Sequence, residues 1–336
     1  MTQYRCLFAA AAVFNFVIGI WSGIAPNSFF GLFEAPVPEV LVPWGVVASL
    51  IGACGVLYLI AAWRPERADW LIAIGLATKL LGPGGWLVGV AVGIHSPRLF
   101  PFVVFGDLWW SFAFGWYLMR RYPHREMVIV WLSAAFHLAA CLGLLVVGQG
   151  TEMQPDPMKR QAWVLSHTGM WVVVWMVWAL SSLSLPWLIT TWVRSLWPNA
   201  HKTARCVMTA SLAIIIVGVL CDLCGESLEA AWLTRSELSV DQFLKGTRWY
   251  QLVSPLAANG LYCIGGLAIS VVGWRIRSDQ RGLWGASGIL MWLIGLGLSL
   301  ATAFAHEPLM VATGAGVMVF FLPWAMWLGW KLRSQP

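Results

Sequence analysis

Along this chain polar residues come in short clusters and apolar residues in long runs. Ten runs stand out, at about 6–24, 44–63, 70–92, 100–119, 127–148, 162–189, 206–225, 252–274, 283–304 and 310–330. A helix rises 1.5 Å per residue, so about 20 apolar residues cross a ~30 Å hydrocarbon core. The pattern therefore predicts an all-α fold, a polytopic transmembrane helix bundle of about ten spans. Trp44, Trp63, Trp70, Trp163, Trp274 and Trp330 fall near run ends, where indoles settle at the membrane–water interface. The longest connection, about 226–251, is too short for a separate soluble domain.

The clusters between the runs set an expected orientation. One face receives Arg5, Arg64, Arg67, Arg120, Arg121, Arg125, Arg194, Lys202, Arg205, Arg275, Arg277, Arg281, Lys331 and Arg333; the other receives Arg98, Lys159, Arg160, Arg235, Lys245 and Arg248. The first face is cytoplasmic by the positive-inside rule, which puts both termini there. The opposite loops are acidic, with Glu34, Glu39, Glu152, Asp156, Glu237 and Asp241. The first run follows Arg5, as a signal peptide would. Pro26 after Ala25 spoils the one small-residue cleavage position, so a retained helix is expected.

Of the 336 residues, 59% are hydrophobic and 11% charged, against about 25% charged in soluble domains. The net charge of +6 lies in interhelical loops, so nucleic acid is not an expected partner; the lipid bilayer is. The chain divides at "RRYPHRE", Arg120 to Glu126, into a four-helix unit, 1–121, and a six-helix unit, 127–336. No repeat relates the two. "KLLGPGGWL" in the third run places Pro83 inside a helix, where a missing N–H favours a kink.

"KLLGPGGWLVG" and the later "FGDLWWSFAFGWYL" carry a Lys-x-x-Gly-Pro and an Asp-x-x-Trp motif, at Lys79, Gly82, Pro83, Asp107 and Trp110. Over residues 1–120 the chain resembles a group of small four-helix bacterial membrane proteins without an agreed activity. The resemblance implies a four-helix membrane unit in a bacterial inner membrane, and no function.

Ionisable residues inside a membrane are costly, ~2.5–3.5 kcal/mol or more when unpaired. Lys79 and Asp107 sit ~14 and ~18 Å above the inner boundary on straight helices. They are expected to pair, either to fix helix packing or as a proton or ion relay. A second group lies at the other membrane face. Asp222, Glu226 and Glu229 follow i, i+4, i+7 and share a helix face. Helix lengths bring His167, Asn259, Tyr262 and His306 to the same level, with Glu307, Arg248 and Tyr250 nearby. This polar outer-leaflet layer has two readings. Glu226 and Glu229 mark the helix exit, solvated or paired with Arg248 or Arg235. Alternatively, the layer forms a site for a small molecule, an ion or a proton.

His167, Asp222, Glu226 and His306 are the candidate metal ligands, though no tight ligand spacing such as H-E-x-x-H occurs. A haem between His137 and His167 would need ligands at one level, and these are offset by several Å. Cys221-x-x-Cys224 is a possible thiol pair, but at about 100° per residue it points well away from the acidic stripe. Three functions follow: a transporter or permease with its polar site in the six-helix unit; a membrane enzyme or redox protein with a metal or haem site facing outward; and an accessory subunit of a membrane complex.

Overall fold

A computed structural model describes residues 2–38, 41–120, 122, 125–277, 280 and 282–333. Glu39, Arg121 and Arg281, used in the charge count, lie outside them. Among the described residues there is no strand, and ten helices are long and apolar enough to cross a membrane. The protein is an all-α, multi-pass membrane protein. Its chain forms two compact units, 1–122 and 123–336.

The first unit contains α1 (Thr2–Ile24), α2 (Leu41–Trp63), α3 (Asp69–Ala91) and α4 (Pro97–Met119). The short helix Pro26–Leu32 follows α1. α1 and α2 pack as a pair and cross at Gly19, where an added Cβ would lie 2.8 Å from the Gly52 nitrogen. Small residues at such a crossing let backbones meet, the usual basis of helix association in lipid. Phe8, Tyr58, Ile72, Phe114 and Tyr117 fill the core between the helices. α3 runs unbroken through Gly82–Gly85, so the Gly-Pro-Gly-Gly segment does not end the helix.

The second unit contains α5 (Arg125–Val146), α6 (Pro157–Ser166), α7 (Thr168–Leu196), α8 (Lys202–Ser227), α9 (Val240–Gln251), α10 (Asn259–Ile276), α11 (Leu283–Ala303) and α12 (Glu307–Arg333). Six of these form a closed ring. α5 packs on α7, α7 on α8, α8 on α10, α10 on α11, α11 on α12, and α12 returns to α5. The ring turns apolar side chains such as Leu138, Val217 and Leu293 outward, exposed, as a lipid-facing surface requires.

Two expectations change at one end of this ring. The sixth run was expected as one helix over 162–189, but the chain breaks at His167. Asp156 caps α6, its side chain accepting from the Met158 and Lys159 amides with Pro157 at the first position, so α6 is a helix in its own right. The stretch 226–251 was expected as a loop, yet it is largely helical. Ser239 and Gln242 form a reciprocal capping box that starts α9.

Three helical segments contain a widened π turn: Val104–Leu108 in α4, Leu228–Trp232 at the end of α8, and Leu252–Ala258 between α9 and α10. Each carries one polar residue of the sites described next: Asp107, Glu229 and Ser254. Such turns are rare and occur frequently at functional sites.

Candidate functional site

In the first unit Lys79 Nζ lies 2.8 Å from Asp107 Oδ1 and 2.9 Å from the Gly106 carbonyl, with the Phe14 ring 5.8 Å away. Ser111 Oγ donates within reach of the Lys79 and Asp107 carbonyls, 3.1 Å from each. Gly82 makes room: a Cβ there would sit 2.9 Å from Asp107 Oδ2. The Lys-x-x-Gly spacing places a cation and a gap one helical turn apart, and the Asp enters the gap.

In the second unit the ring encloses a cavity of about 560 Å³, lined by residues from all six of its helices. Its walls are largely aromatic and apolar, with Trp175, Trp178, Trp292 and Phe321 among them; Glu152, Arg160, Asp222, Glu229 and Tyr250 supply charge and hydroxyl groups. Site volumes of ~300–1,000 Å³ with a few convergent polar groups are usual for small-molecule pockets.

The polar wall is built on α8. Asp222 and Glu226 lie one turn apart on the same face, and both are buried. Ser182 of α7 stands between them, its hydroxyl 2.8 Å from Asp222 Oδ2 and 2.7 Å from Glu226 Oε1. Tyr262 of α10 donates to Asp222 Oδ2 at 3.1 Å, and Ser254 donates to Asp222 Oδ1. Two glycines allow this convergence. A Cβ on Gly218 would meet Tyr262 Cε1 at 2.8 Å, and one on Gly225 would meet Ser254 Cβ at 2.7 Å. The sequence around Asp222 therefore reads as a seat: a glycine before and after Asp222, with Glu226 next to the second.

Beside this seat lies a second polar group. Glu152 accepts from Arg160 Nη2 at 3.3 Å and from Gln251 Nε2 at 3.1 Å. Glu229 sits within electrostatic reach of both Glu152 and Arg160. Its carbonyl accepts from Trp171 Nε1 at 2.8 Å, while its Oε2 has no partner in the protein.

The expected outer-leaflet layer is thus assembled only in part. Asp222, Glu229, Asn259 and Tyr262 line the cavity, and Glu226 lies behind it. Asn259 Nδ2 ties α10 to α11 through Gly295 O at 2.6 Å and Ser299 Oγ at 2.9 Å. His167 and His306 are elsewhere. His167 occupies the break between α6 and α7, exposed, its ring stacked on Trp163 at 4.4 Å and Nδ1 3.0 Å from the Trp163 carbonyl. The depth arithmetic assumed an unbroken helix there. His306 is exposed and accepts from the Leu309 amide at 3.2 Å, starting α12.

Consequently, His167, Asp222, Glu226 and His306 do not converge, and among the described residues no three His, Cys, Asp or Glu side chains gather as metal ligands. Glu226 and Glu229 are also not a solvated helix exit, being 0% and 3% exposed. The guanidinium suggested for them is engaged elsewhere: Arg248 bonds Gln251 and the Thr302 carbonyl. Arg235 stacks on Trp232. Cys221 and Cys224 are free thiols, Cys224 exposed.

Sequence reasoning missed Ser182, Ser254, Glu152 and Arg160. A trace of signal existed in the serines of "SSLSL", Ser181 to Leu185, which are unusual in so apolar a helix. Ser184 is one of these and meets Ser133 of α5 at 2.9 Å. In comparisons with known proteins, no family model, curated protein or solved structure matches this chain.

Proposed function

We propose that this protein is a permease-like carrier whose six-helix unit binds a small amphipathic molecule with a cationic or hydrogen-bond-donating head. One observation carries the reading: a closed ring of transmembrane helices surrounds a cavity of about 560 Å³ with buried acids on one wall. The aromatic walls suit a flat apolar body. Asp222, Glu229 and Glu152, against the single guanidinium of Arg160 there, suit a positive head. Intramembrane carboxyls that line a cavity mark substrate and ion pathways. The excess of Lys and Arg on one set of loops supports cytoplasmic termini.

The test is quenching of tryptophan fluorescence in purified protein by a panel of aromatic and aliphatic amines, followed by uptake of any binder into proteoliposomes. Asp222→Asn and Glu229→Gln are expected to weaken both by at least tenfold. Wild-type protein that neither binds nor moves any member of the panel would sink the proposal.

One observation favours a second reading, a metal or haem protein. His137 is part of the cavity wall, and its Nδ1 lies 2.7 Å from the Ser133 carbonyl. A carbonyl only accepts, so in the neutral ring Nδ1 carries the proton and Nε2 keeps its lone pair, the arrangement usual for an imidazole ligand. An absorption spectrum and metal analysis of wild type and His137→Ala separate the two readings.

A further inference from the structure

Three oxygens crowd one hydroxyl at the centre of the polar wall. Ser182 Oγ lies 2.7 Å from Glu226 Oε1, 2.8 Å from Asp222 Oδ2 and 3.2 Å from the Trp178 carbonyl. A hydroxyl offers one proton and two lone pairs; a carbonyl and an ionised carboxylate only accept. If both acids were ionised, the single Ser182 proton could serve only one of them. The other would face the hydroxyl lone pair to lone pair at hydrogen-bonding distance, buried. A shortfall of this kind costs the desolvation penalty of a charged group.

The surroundings do not relieve it. Toward the pair, α7 contributes Ser182, α9 Tyr250, the π turn Ser254, and α10 Tyr262. α8 itself adds Cys221, Cys224 and, beyond its end, Glu229. Among the described residues no Lys, Arg or His pairs with either acid. Arg160, the guanidinium on the cavity wall, is engaged by Glu152.

We infer that Asp222 and Glu226 share one proton through Ser182, so that the pair carries a single negative charge. The donor count also says where the proton rests. Asp222 receives two further hydroxyls, from Ser254 and Tyr262, as an ionised acid requires. Glu226 receives none, is fully buried, and its Oε2 has no partner. Glu226 therefore holds the proton and donates it to Ser182 Oγ, and Ser182 donates to Asp222. The cavity adds an independent observation. Asp222 and Ser182 are part of its wall and Glu226 lies behind them. A proton can thus pass from a dry reserve to a wall facing the cavity. The Glu226 proton moves to Ser182 Oγ as the Ser182 proton moves to Asp222 Oδ2. Two O–H bonds break and two form, leaving Glu226 ionised and Asp222 neutral. A cationic head at the wall would favour charge on Asp222 and lock the proton on Glu226. Loss of the head would release that preference, which is the elementary requirement for exchanging a proton against a cation.

The coupling rests on the permease reading; the shared proton does not, and the experiment separates them. Infrared spectra of the purified protein, without ligand, are compared in H2O and D2O for wild type, Glu226→Gln, Asp222→Asn and Ser182→Ala. Size-exclusion profiles confirm folding. We expect a deuterium-sensitive carboxylic-acid carbonyl band that is lost in Glu226→Gln, kept in Asp222→Asn and shifted in Ser182→Ala. A band lost in Asp222→Asn instead would overturn the assignment to Glu226. Spectra identical across all four in that region would overturn the shared proton altogether. If Glu226→Gln does not fold, Asp222→Asn and Ser182→Ala still decide: an unshifted band in both overturns the bridge. The expected band in a protein that binds no amine would retain the proton and sink the permease reading.

Discussion

Removing Asp107 is expected to cost more than removing the ion pair. In wild type the Lys79 ammonium has two acceptors, Asp107 Oδ1 at 2.8 Å and the Gly106 carbonyl at 2.9 Å, and the side chain is only 7% exposed. Asp107→Asn keeps the shape but leaves a buried cation with a carbonyl and amide dipoles alone. Breaking one side of a buried pair costs about 3–5 kcal/mol, whereas replacing both sides with apolar groups of similar volume is often neutral. Lys79→Met alone leaves a buried carboxylate and belongs in the same range. The double variant Lys79→Met/Asp107→Leu is expected to recover most of the loss. With single variants at about 3–5 kcal/mol each and the double near wild type, the coupling between the two sites is on the order of 5 kcal/mol or more. Reversible unfolding in mixed detergent, followed by tryptophan fluorescence, gives all four corners of the cycle. Single variants each within about 1 kcal/mol of wild type, adding without coupling, would refute the argument. The pair would then be a solvated or dispensable contact.

Other outcomes follow from the same geometry. Gly82→Ala sets a methyl 2.9 Å from Asp107 Oδ2 and is expected to cost about 1–3 kcal/mol; in the Lys79→Met/Asp107→Leu background the cost should change, because the group it strikes is gone, and equal costs in both backgrounds would refute the contact. Gly225→Ala drives a methyl into Ser254 Cβ, 2.7 Å away, so it should lower both thermal stability and amine quenching, with unchanged quenching counting against the seat. Trp175 Nε1 is buried with no partner, so Trp175→Phe should lose less stability than Trp171→Phe, whose indole donates to the Glu229 carbonyl at 2.8 Å; the order of midpoints in a thermal scan checks it. Cys6 and Cys206 are exposed near helix starts and Cys263 is buried, so a maleimide should label those two before Cys263, and mass spectrometry of early time points reads the sites.

What could be read from the residues followed from one-dimensional physics. Ten apolar runs must be satisfied internally as helices in lipid, and the ten spans lie where the runs are. The polarity of the 222–229 stretch was equally plain, because acids are conspicuous in an apolar run. The cavity was not legible, since it depends on which helices become neighbours. Nothing local to His137, Trp292 and Phe321 says that they share one chamber. Depth arithmetic failed at His167 for a local reason: Asp156 and Pro157 begin a separate helix, and the chain restarts at Thr168. Ser182 escaped attention because a hydroxyl within a helix usually bonds its own preceding turn, whereas this one lies 3.2 Å from the Trp178 carbonyl and closer to two acids across the helix interface, at 2.8 and 2.7 Å.

The π turns at Val104–Leu108, Leu228–Trp232 and Leu252–Ala258 bear on how this protein tolerates change of length. Each holds one residue more than a regular helix would, so deleting any single residue there would let the segment relax into ordinary helix. A widened turn fits that extra residue into nearly the rise and rotation of a regular turn, so the helix beyond it keeps its register after such a deletion. For the turn that precedes α10, Tyr262 would stay on Asp222 and Asn259 on Gly295. A deletion from regular helix instead rotates everything beyond it by about 100° and draws it in by about 1.5 Å. The widened turns are thus the places where these helices can lose a residue without dismantling the binding wall. A deletion scan should show loss of Leu256 as stable protein that still binds, and loss of Gly260 within α10 as protein that does not.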